Sequence, residues 1–466
     1  MNRGVDRGAL LIRGGRILDP GQDLDVIGDV LIQDGLVVSA GPSVGPSTEG
    51  LAGVRVLEAT GKVVAPGFVD LHCHLREPGY EHKETIASGT RAAARGGFTT
   101  ICCMPNTRPV TDTRACVEQI LELTRTVGAV RVLPIGCVTR GQRGQELADM
   151  GELCEAGAAG FSDDGNPVAD AQIMRRALEY SRMLGRPIVN HCEDPALAGE
   201  GVANEGWVAT RLGLRGMPAV AEEVMVARDV ALAQTTGGRL HLAHISAAGS
   251  LDHIRRAKAR GVPVTAEVTP HHLAMTDAWL LGYSTDLNER AYGYARPPRG
   301  LMPYDTHTKV NPPLRTSRDL DALVEALRDG TLDAIATDHA PHALEDKECE
   351  YDSAAFGIGG FETAFGLLLT LVHAGQLDLQ TVIGTLTNGP ARVLAGGAQG
   401  GAWLPNGLGT LRPGAPGDVA ILDPEAEWLV EPETFASLGR NTPLGGVTLR
   451  GRVTATIFGG QVIYGA

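Results

Sequence analysis

Phe68-Val69-Asp70-Leu71-His72-Cys73-His74-Leu75 is an apolar run carrying ligand-type side chains, and the helix-like stretch Ile86–Gly97 (IASGTRAAARGG) follows it. The same alternation recurs along the chain. Strand-like runs occupy 98–104 (FTTICCM), 130–138 (VRVLPIGCV), 186–192 (RPIVNHC), 239–246 (RLHLAHIS), 262–269 (VPVTAEVT) and 332–340 (LDAIATDHA). Helical stretches such as 112–128, 170–185 and 250–261 lie between them. Strands alternating with helices of this length imply βαβ units and a parallel sheet. Seven runs, with an eighth implied near Ala159–Ser162, predict a (β/α)8 barrel.

Outside this centre the texture changes. Residues 9–64 read as short strands broken by Gly and Asp turns, with Asp34-Gly35 as a hairpin signal, and short strands return after about Ala398. The expectation is an α/β chain: a TIM-like barrel over 65–398 and a small composite β-sandwich domain built from 1–64 and 399–466. The stretch Met275–Lys309 lacks periodicity and reads as a long surface loop.

The chain has 466 residues, ample for a large core, and a net charge of −14 from 41 Lys plus Arg against 55 Asp plus Glu. With no basic run, this balance argues against a nucleic-acid or anionic-membrane surface, and an anionic substrate would need a local positive site. No signal peptide or membrane-length apolar stretch is present, so a cytoplasmic protein is the expectation. The 8 cysteines include no CxxC pair, which disfavours both a disulfide framework and a thiolate zinc site.

The chemical residues fall at the C-terminal ends of the predicted strands, where barrel enzymes build their sites. Side chains alternate along a strand, so His72 and His74 share a face and can reach one metal ion. A His-x-His pair alone carries little weight. His191, His244 and Asp338, each ending an apolar run, add to it. By the same parity His241 and His339 face away and read as packing or supporting residues. His82, His253, His307 and His373 read as surface residues, and for His271 and His272 the choice between support and packing stays open.

Nine motifs then run in order along nearly the whole chain: GFVDLHCHLREPG (67–79), MPNT (104–107), FSDDG (161–165), HCED (191–194), HIS (244–246), EVTPHHL (267–273), NPPLR (311–315), ATDHAPH (336–342) and FGIGGFETAF (356–365). Together they resemble the amidohydrolase superfamily, and within it the class I dihydroorotases. That resemblance implies two zinc ions per chain. His72 and His74 would ligate one, His191 and His244 the other, with Asp164 of FSDDG bridging them and Asp163 as runner-up. Asp338 would complete the first zinc's ligands and transfer the proton. His74, Arg76, Asn106, Asn311, His342, Phe356 and Gly357 match the family's substrate-binding positions. Related dihydropyrimidinases, hydantoinases and allantoinases usually bridge their metals with a carboxylated lysine. Here no lysine lies between Lys83 and Lys258, which favours the Asp-bridged type.

The implied reaction interconverts N-carbamoyl-L-aspartate and L-dihydroorotate in pyrimidine biosynthesis. Two metals would hold hydroxide at neutral pH and polarise the amide carbonyl. Arg76 suits bidentate capture of the substrate carboxylate, so an acidic chain can hold an anionic substrate. Another cyclic amidohydrolase is the first alternative. The second is a non-catalytic partner of aspartate carbamoyltransferase. A homodimer and an association with that enzyme are the partner expectations, with no nucleic acid and no membrane.

Overall fold

The computed structural model describes residues 8–42, 54–396 and 403–465. Eight parallel strands pair in chain order, Phe68–Cys73, Phe98–Cys103, Arg131–Gly136, Gly160–Phe161, Ile188–Asn190, Leu240–Leu242, Val264–Val268 and Ala334–Ile335. The ring closes where Cys73 bridges His339 in parallel and the His74 N–H donates to the His339 carbonyl at 2.8 Å. Apart from half-buried Arg131, Leu133 and Thr265, these strands are buried on both faces, which is why they read in sequence as largely apolar runs.

Leu71, Val189, Ala243 and Ala336 each stand just ahead of a polar site residue on the same segment. They join Val69, Cys102, Ile135 and Ala334 in one apolar cluster, with Ala391, Val393 and Leu394 of helix Asn388–Ala395. The first four of these apolar side chains precede the polar residues along their segments, so the polar groups fall at the strands' C-terminal ends.

The two terminal segments form a second, eight-stranded sheet. Strand Val63–Pro66 joins them, pairing in parallel with Ala9–Asp19 and antiparallel with Val419–Leu429. The sheet therefore runs two residues past the expected limit at 64, while the limit at 398/399 lies outside the described residues. The Asp34-Gly35 turn connects Leu24–Gln33 to Leu36–Gly41, and both turn residues have positive φ, 53° and 82°. The sheet docks on the barrel through Thr456 Oγ1 donating to the Ala94 carbonyl at 2.7 Å and through the Arg131–Asp418 ion pair at 2.9 Å.

The reading of Met275–Lys309 as a surface loop needs correction. Its first residues are core: Met275 to Leu280 are buried, Trp279 is 0% exposed, and the Trp279 indole N–H donates to the Tyr292 carbonyl at 2.9 Å. The segment folds on short 3-10 turns at Asp277–Leu281, Glu289–Tyr292 and Thr306–Thr308. Such turns repeat every three residues over too short a span to leave a periodic signal. Two expected surface histidines, His253 and His307, are half-buried, whereas His82 and His373 are exposed. All eight cysteines are free thiols, six of them buried. Among the described residues no helix is long and apolar enough to cross a membrane.

Candidate active site

Four histidines and two aspartates converge at the C-terminal mouth of the barrel. His72 is the penultimate residue of the first strand, His74 follows that strand, Asp164 follows the fourth, His191 the fifth, His244 the sixth and Asp338 the eighth. His72 Nε2 lies 3.3 Å from Asp164 Oδ1 and 3.7 Å from Asp338 Oδ1. His74 Nε2 lies 3.1 Å from Asp338 Oδ1 and 3.6 Å from Asp164 Oδ2. On the other side of Asp164 Oδ1 stand His244 Nε2 at 3.5 Å and His191 Nδ1 at 3.7 Å. Holding these groups together bends the backbone: His244 and Asp338 take φ of 33° and 45°, and Arg76 takes 62°. Side chains rarely accept such angles outside functional sites.

The donor set fits a metal ion. The ligand atoms of His72, His74 and Asp338 lie within 4.8 Å of one another, as do those of His72, Asp164 and His244. His72 Nε2 and Asp164 Oδ1 are buried and have no hydrogen-bond partner, a costly state for polar atoms unless a further group engages them. The supporting bonds aim the lone pairs the same way. The His72 Nδ1–H donates to Glu267 Oε1 at 3.0 Å, which leaves Nε2 to face Asp164. The His74 Nδ1–H donates to Asn106 Oδ1 at 3.0 Å.

Electrostatics follow from this crowding. Burial alone would raise the Asp164 and Asp338 carboxyls, but the surrounding imidazoles prevail and hold both well below the usual carboxylate range. Burial opposes protonation of His191 as well, yet its bonds to Asp164 and Glu193 hold it up to about 10. Asp163 points elsewhere. Its carboxylate accepts the Val138 and Thr139 N–H groups at 2.8 and 3.1 Å and the Thr139 hydroxyl, and burial pushes it up to about 6.

A cavity of about 190 Å³ opens over these groups. His74, Arg76, Asn106 and Asn311 line one part of it, and His342, Phe356 and Gly357 another. Arg76 is fixed by its Nε–H donating to the Pro341 carbonyl at 3.1 Å, with Nη2 3.3 Å from His342 Nε2. His342 is kept neutral, at about 2, by burial first and then by the charges of Arg76, Lys347 and Lys83. Its Nε2–H donates to the Phe356 carbonyl at 2.9 Å.

The structure adds residues that sequence reasoning missed. Glu267 joins His72 to His241, whose Nε2–H donates to Glu267 Oε2 at 3.0 Å. His339, stacked on Phe361 at 4.2 Å, supports the barrel seam rather than the cavity. His272 is held by Thr269 and the Pro312 carbonyl, and His271 is buried with Nε2 unpartnered. Asn441, from the C-terminal segment, accepts the His342 N–H at 2.9 Å. Strand parity set His241 apart from His244, yet His241 reaches the same site through Glu267 and His72, and nothing local marked Glu267 or Asn441.

Comparison with known proteins places the chain in a family. The family described as Dihydro-orotase-like matches residues 61–250. A curated dihydroorotase from Pelotomaculum thermopropionicum is 52% identical over 97% of this chain and 98% of its own. One from Anaeromyxobacter dehalogenans is 50% identical over 98% of each. Among solved structures, L-hydantoinase (dihydropyrimidinase) from Arthrobacter aurescens superposes with a TM-score of 0.79 at 24% identity, covering 98% of this chain and 96% of that one. The dihydropyrimidinase from Brevibacillus agri gives 0.78 at 20%, covering 98% and 95%. At such identity the structural likeness speaks for the fold alone, whereas relatives half identical along their whole length speak for the family: this chain belongs to the dihydroorotases.

Proposed function

We infer that the chain catalyses the reversible cyclisation of N-carbamoyl-L-aspartate to L-dihydroorotate and water, as a metal-dependent cyclic amidohydrolase of pyrimidine biosynthesis. The observation that carries this reading beyond the family name is Arg76. It is a half-buried guanidinium in the wall of the same cavity that His74 and Asp338 line, suited to a substrate with a carboxylate beside its amide.

In this reading His72, His74, Asp164, His191, His244 and Asp338 hold two zinc ions. When bound, the zinc pair supplies an activated water at neutral pH and polarises the amide carbonyl. The protein's part is binding, orientation and proton transfer. Arg76 pairs with the substrate carboxylate. His74 holds the Asn106 oxygen, so the Asn106 amide N–H groups are free to meet a substrate oxygen, and Asn311 provides a second amide. In ring opening, the Asp338 carboxylate accepts a proton from the attacking water and returns it to the ring nitrogen as the C–N bond breaks. In closure the same carboxyl group protonates the departing water. His342, held neutral, orients Phe356 beside Arg76 without adding charge.

The test is an assay of the purified chain with dihydroorotate, carbamoyl-aspartate and the uncharged analogue dihydrouracil, alongside metal analysis. Turnover of the first two with about two zinc ions per chain is expected. Preference for dihydrouracil would move the chain to another cyclic amidohydrolase activity. A cytoplasmic location, a homodimer and an association with aspartate carbamoyltransferase belong to the same reading, and sedimentation of the chain alone and with that enzyme checks the last two.

A further inference from the structure

One wall of the catalytic cavity is made by two segments that sequence order keeps apart, Ala340–His342 and Phe356–Gly357. They touch closely: a Cβ placed on Gly357, whose φ is 137°, would stand 2.6 Å from the Ala340 Cβ. Behind this wall lies a larger cavity of about 600 Å³, which shares His342 with the first and which Lys347 and Asn441 help to line.

Lys347 is 2% exposed. Its ammonium donates to the Ala355 carbonyl at 2.6 Å, the Thr306 carbonyl at 3.1 Å and the Lys309 carbonyl at 3.4 Å. Lys309 O also accepts the Gly357 N–H at 2.8 Å, so one carbonyl joins the lysine to the cavity wall. Lys309 is itself buried, its ammonium 4.4 Å from the centre of the Phe356 ring. Asn441 reaches the same wall from the far end of the chain. Its Oδ1 accepts the His342 N–H at 2.9 Å, and its Nδ2 donates to the Ala340 and Gly357 carbonyls at 2.9 and 3.0 Å.

Among the described residues Lys347 forms no ion pair with a carboxylate. Burying an ammonium against carbonyls alone is costly; a methionine would fill the space without that cost. What the lysine adds is direction, three bonds from one atom to segments on both sides. Burial first, and the charge of Lys309 second, pull it down to about 7.

We propose that Lys347 and Asn441 are positioning residues for substrate recognition: they fix Ala340–His342 and Phe356–Gly357 at the separation that admits the substrate carboxylate beside Arg76. The proposal rests on the dihydroorotase reading. Both residues act through the wall and touch no reacting atom, so they govern binding rather than chemistry.

The experiment compares the full-length parent with Lys347→Met and Asn441→Ala, measuring KM and kcat for dihydroorotate and bound metal. A KM raised about tenfold or more in each, with kcat within about threefold of the parent and metal unchanged, is expected. KM within about twofold of the parent in both, or unchanged KM with lost kcat or metal, overturns it. In Lys347→Ala the larger cavity gives ethylamine access, and KM should recover as the amine is added; a folded variant whose KM ignores the amine removes the ammonium from the proposal. If the lysine variants do not fold, Asn441→Ala decides alone. A parent without turnover overturns the activity reading and this proposal with it, whereas an active parent with insensitive variants overturns only the wall.

Discussion

Glu267 Oε1 lies 3.0 Å from His72 Nδ1, and the other oxygen of the same carboxylate receives the His241 Nε2–H at 3.0 Å. Burial alone would raise Glu267, but the two imidazoles prevail and hold it down to about 2. It therefore accepts from both rings, and His72 is left with its lone pair on Nε2. Glutamine cannot do this. One of its terminal atoms is a donor, so either His241 loses its partner or the His72 proton moves to Nε2, where it blocks a metal. Glu267→Gln is expected to weaken metal binding by about 10- to 100-fold while the chain stays folded. Competition with a chelator measures this, and an affinity within about twofold of the parent removes Glu267 from the role.

Two adjacent carboxylates make opposite predictions. Asp164 faces four imidazoles, whereas Asp163 is engaged by two backbone N–H groups and the Thr139 hydroxyl. Asp164→Asn should lose metal. Asp163→Asn should keep it but cost about 1–2 kcal/mol of stability, because the Thr139 hydroxyl loses its acceptor. Metal analysis and thermal unfolding of the two variants separate them, and metal loss in Asp163→Asn alone would reverse the assignment.

These two cases also mark what could be read in advance. The barrel was legible because strands buried on both faces must be apolar throughout, and the donors ending those runs must share one mouth once the sheet closes. Glu267 was not, because its partner His72 is 195 residues away and strand parity says which face a side chain takes, not which strand lies beside it. Asn441 reaches His342 across 99 residues from a segment with no periodic signal of its own. Met275–Lys309 was misjudged because polar and aromatic residues on 3-10 turns, here packed around Trp279, look in sequence like an exposed loop.

Asp338 is the proton carrier proposed for both reaction directions. Asn is nearly isosteric and keeps an oxygen for a metal or for His74, but it cannot take a proton. Asp338→Asn is therefore expected to retain metal and to lose turnover by about 10²-fold or more. Assays in both directions with parallel metal analysis check this, and near-parent activity would exclude Asp338 as the proton carrier.

Arg76 holds its place through its Nε–H, which donates to the Pro341 carbonyl, with Nη2 packed beside His342, so the fork is fixed before substrate arrives. Lysine has one donor group and cannot both keep the Pro341 bond and meet a carboxylate in two places. Arg76→Lys should raise KM for dihydroorotate about tenfold or more, with metal content unchanged and little change for the uncharged dihydrouracil. An effect confined to metal content would show that the arginine does not meet the substrate.

Metal removal should leave a pH signature of definite sign. Without metal, His191 is held up to about 10 by Asp164 and Glu193 against the opposing effect of burial, and His72 is raised in the same way by Asp164. A histidine whose folded value lies above its unfolded one contributes stability that is complete below about 6.5 and is lost as pH rises through the folded value. The chelated protein should thus lose thermal stability progressively from about pH 6.5 toward 10. The Asp164 and Asp338 carboxyls, shifted downward, act at the other end and contribute above their ordinary value of 3.8. Metal ligation requires neutral imidazoles, so uptake near pH 7 must expel those protons. Calorimetric titration of zinc in buffers of different ionisation enthalpy should register that release, and thermal unfolding with metal bound should be flatter across the alkaline range than without it. A chelated protein whose stability rises between pH 7 and 9 would mean that these histidines are not paired with Asp164.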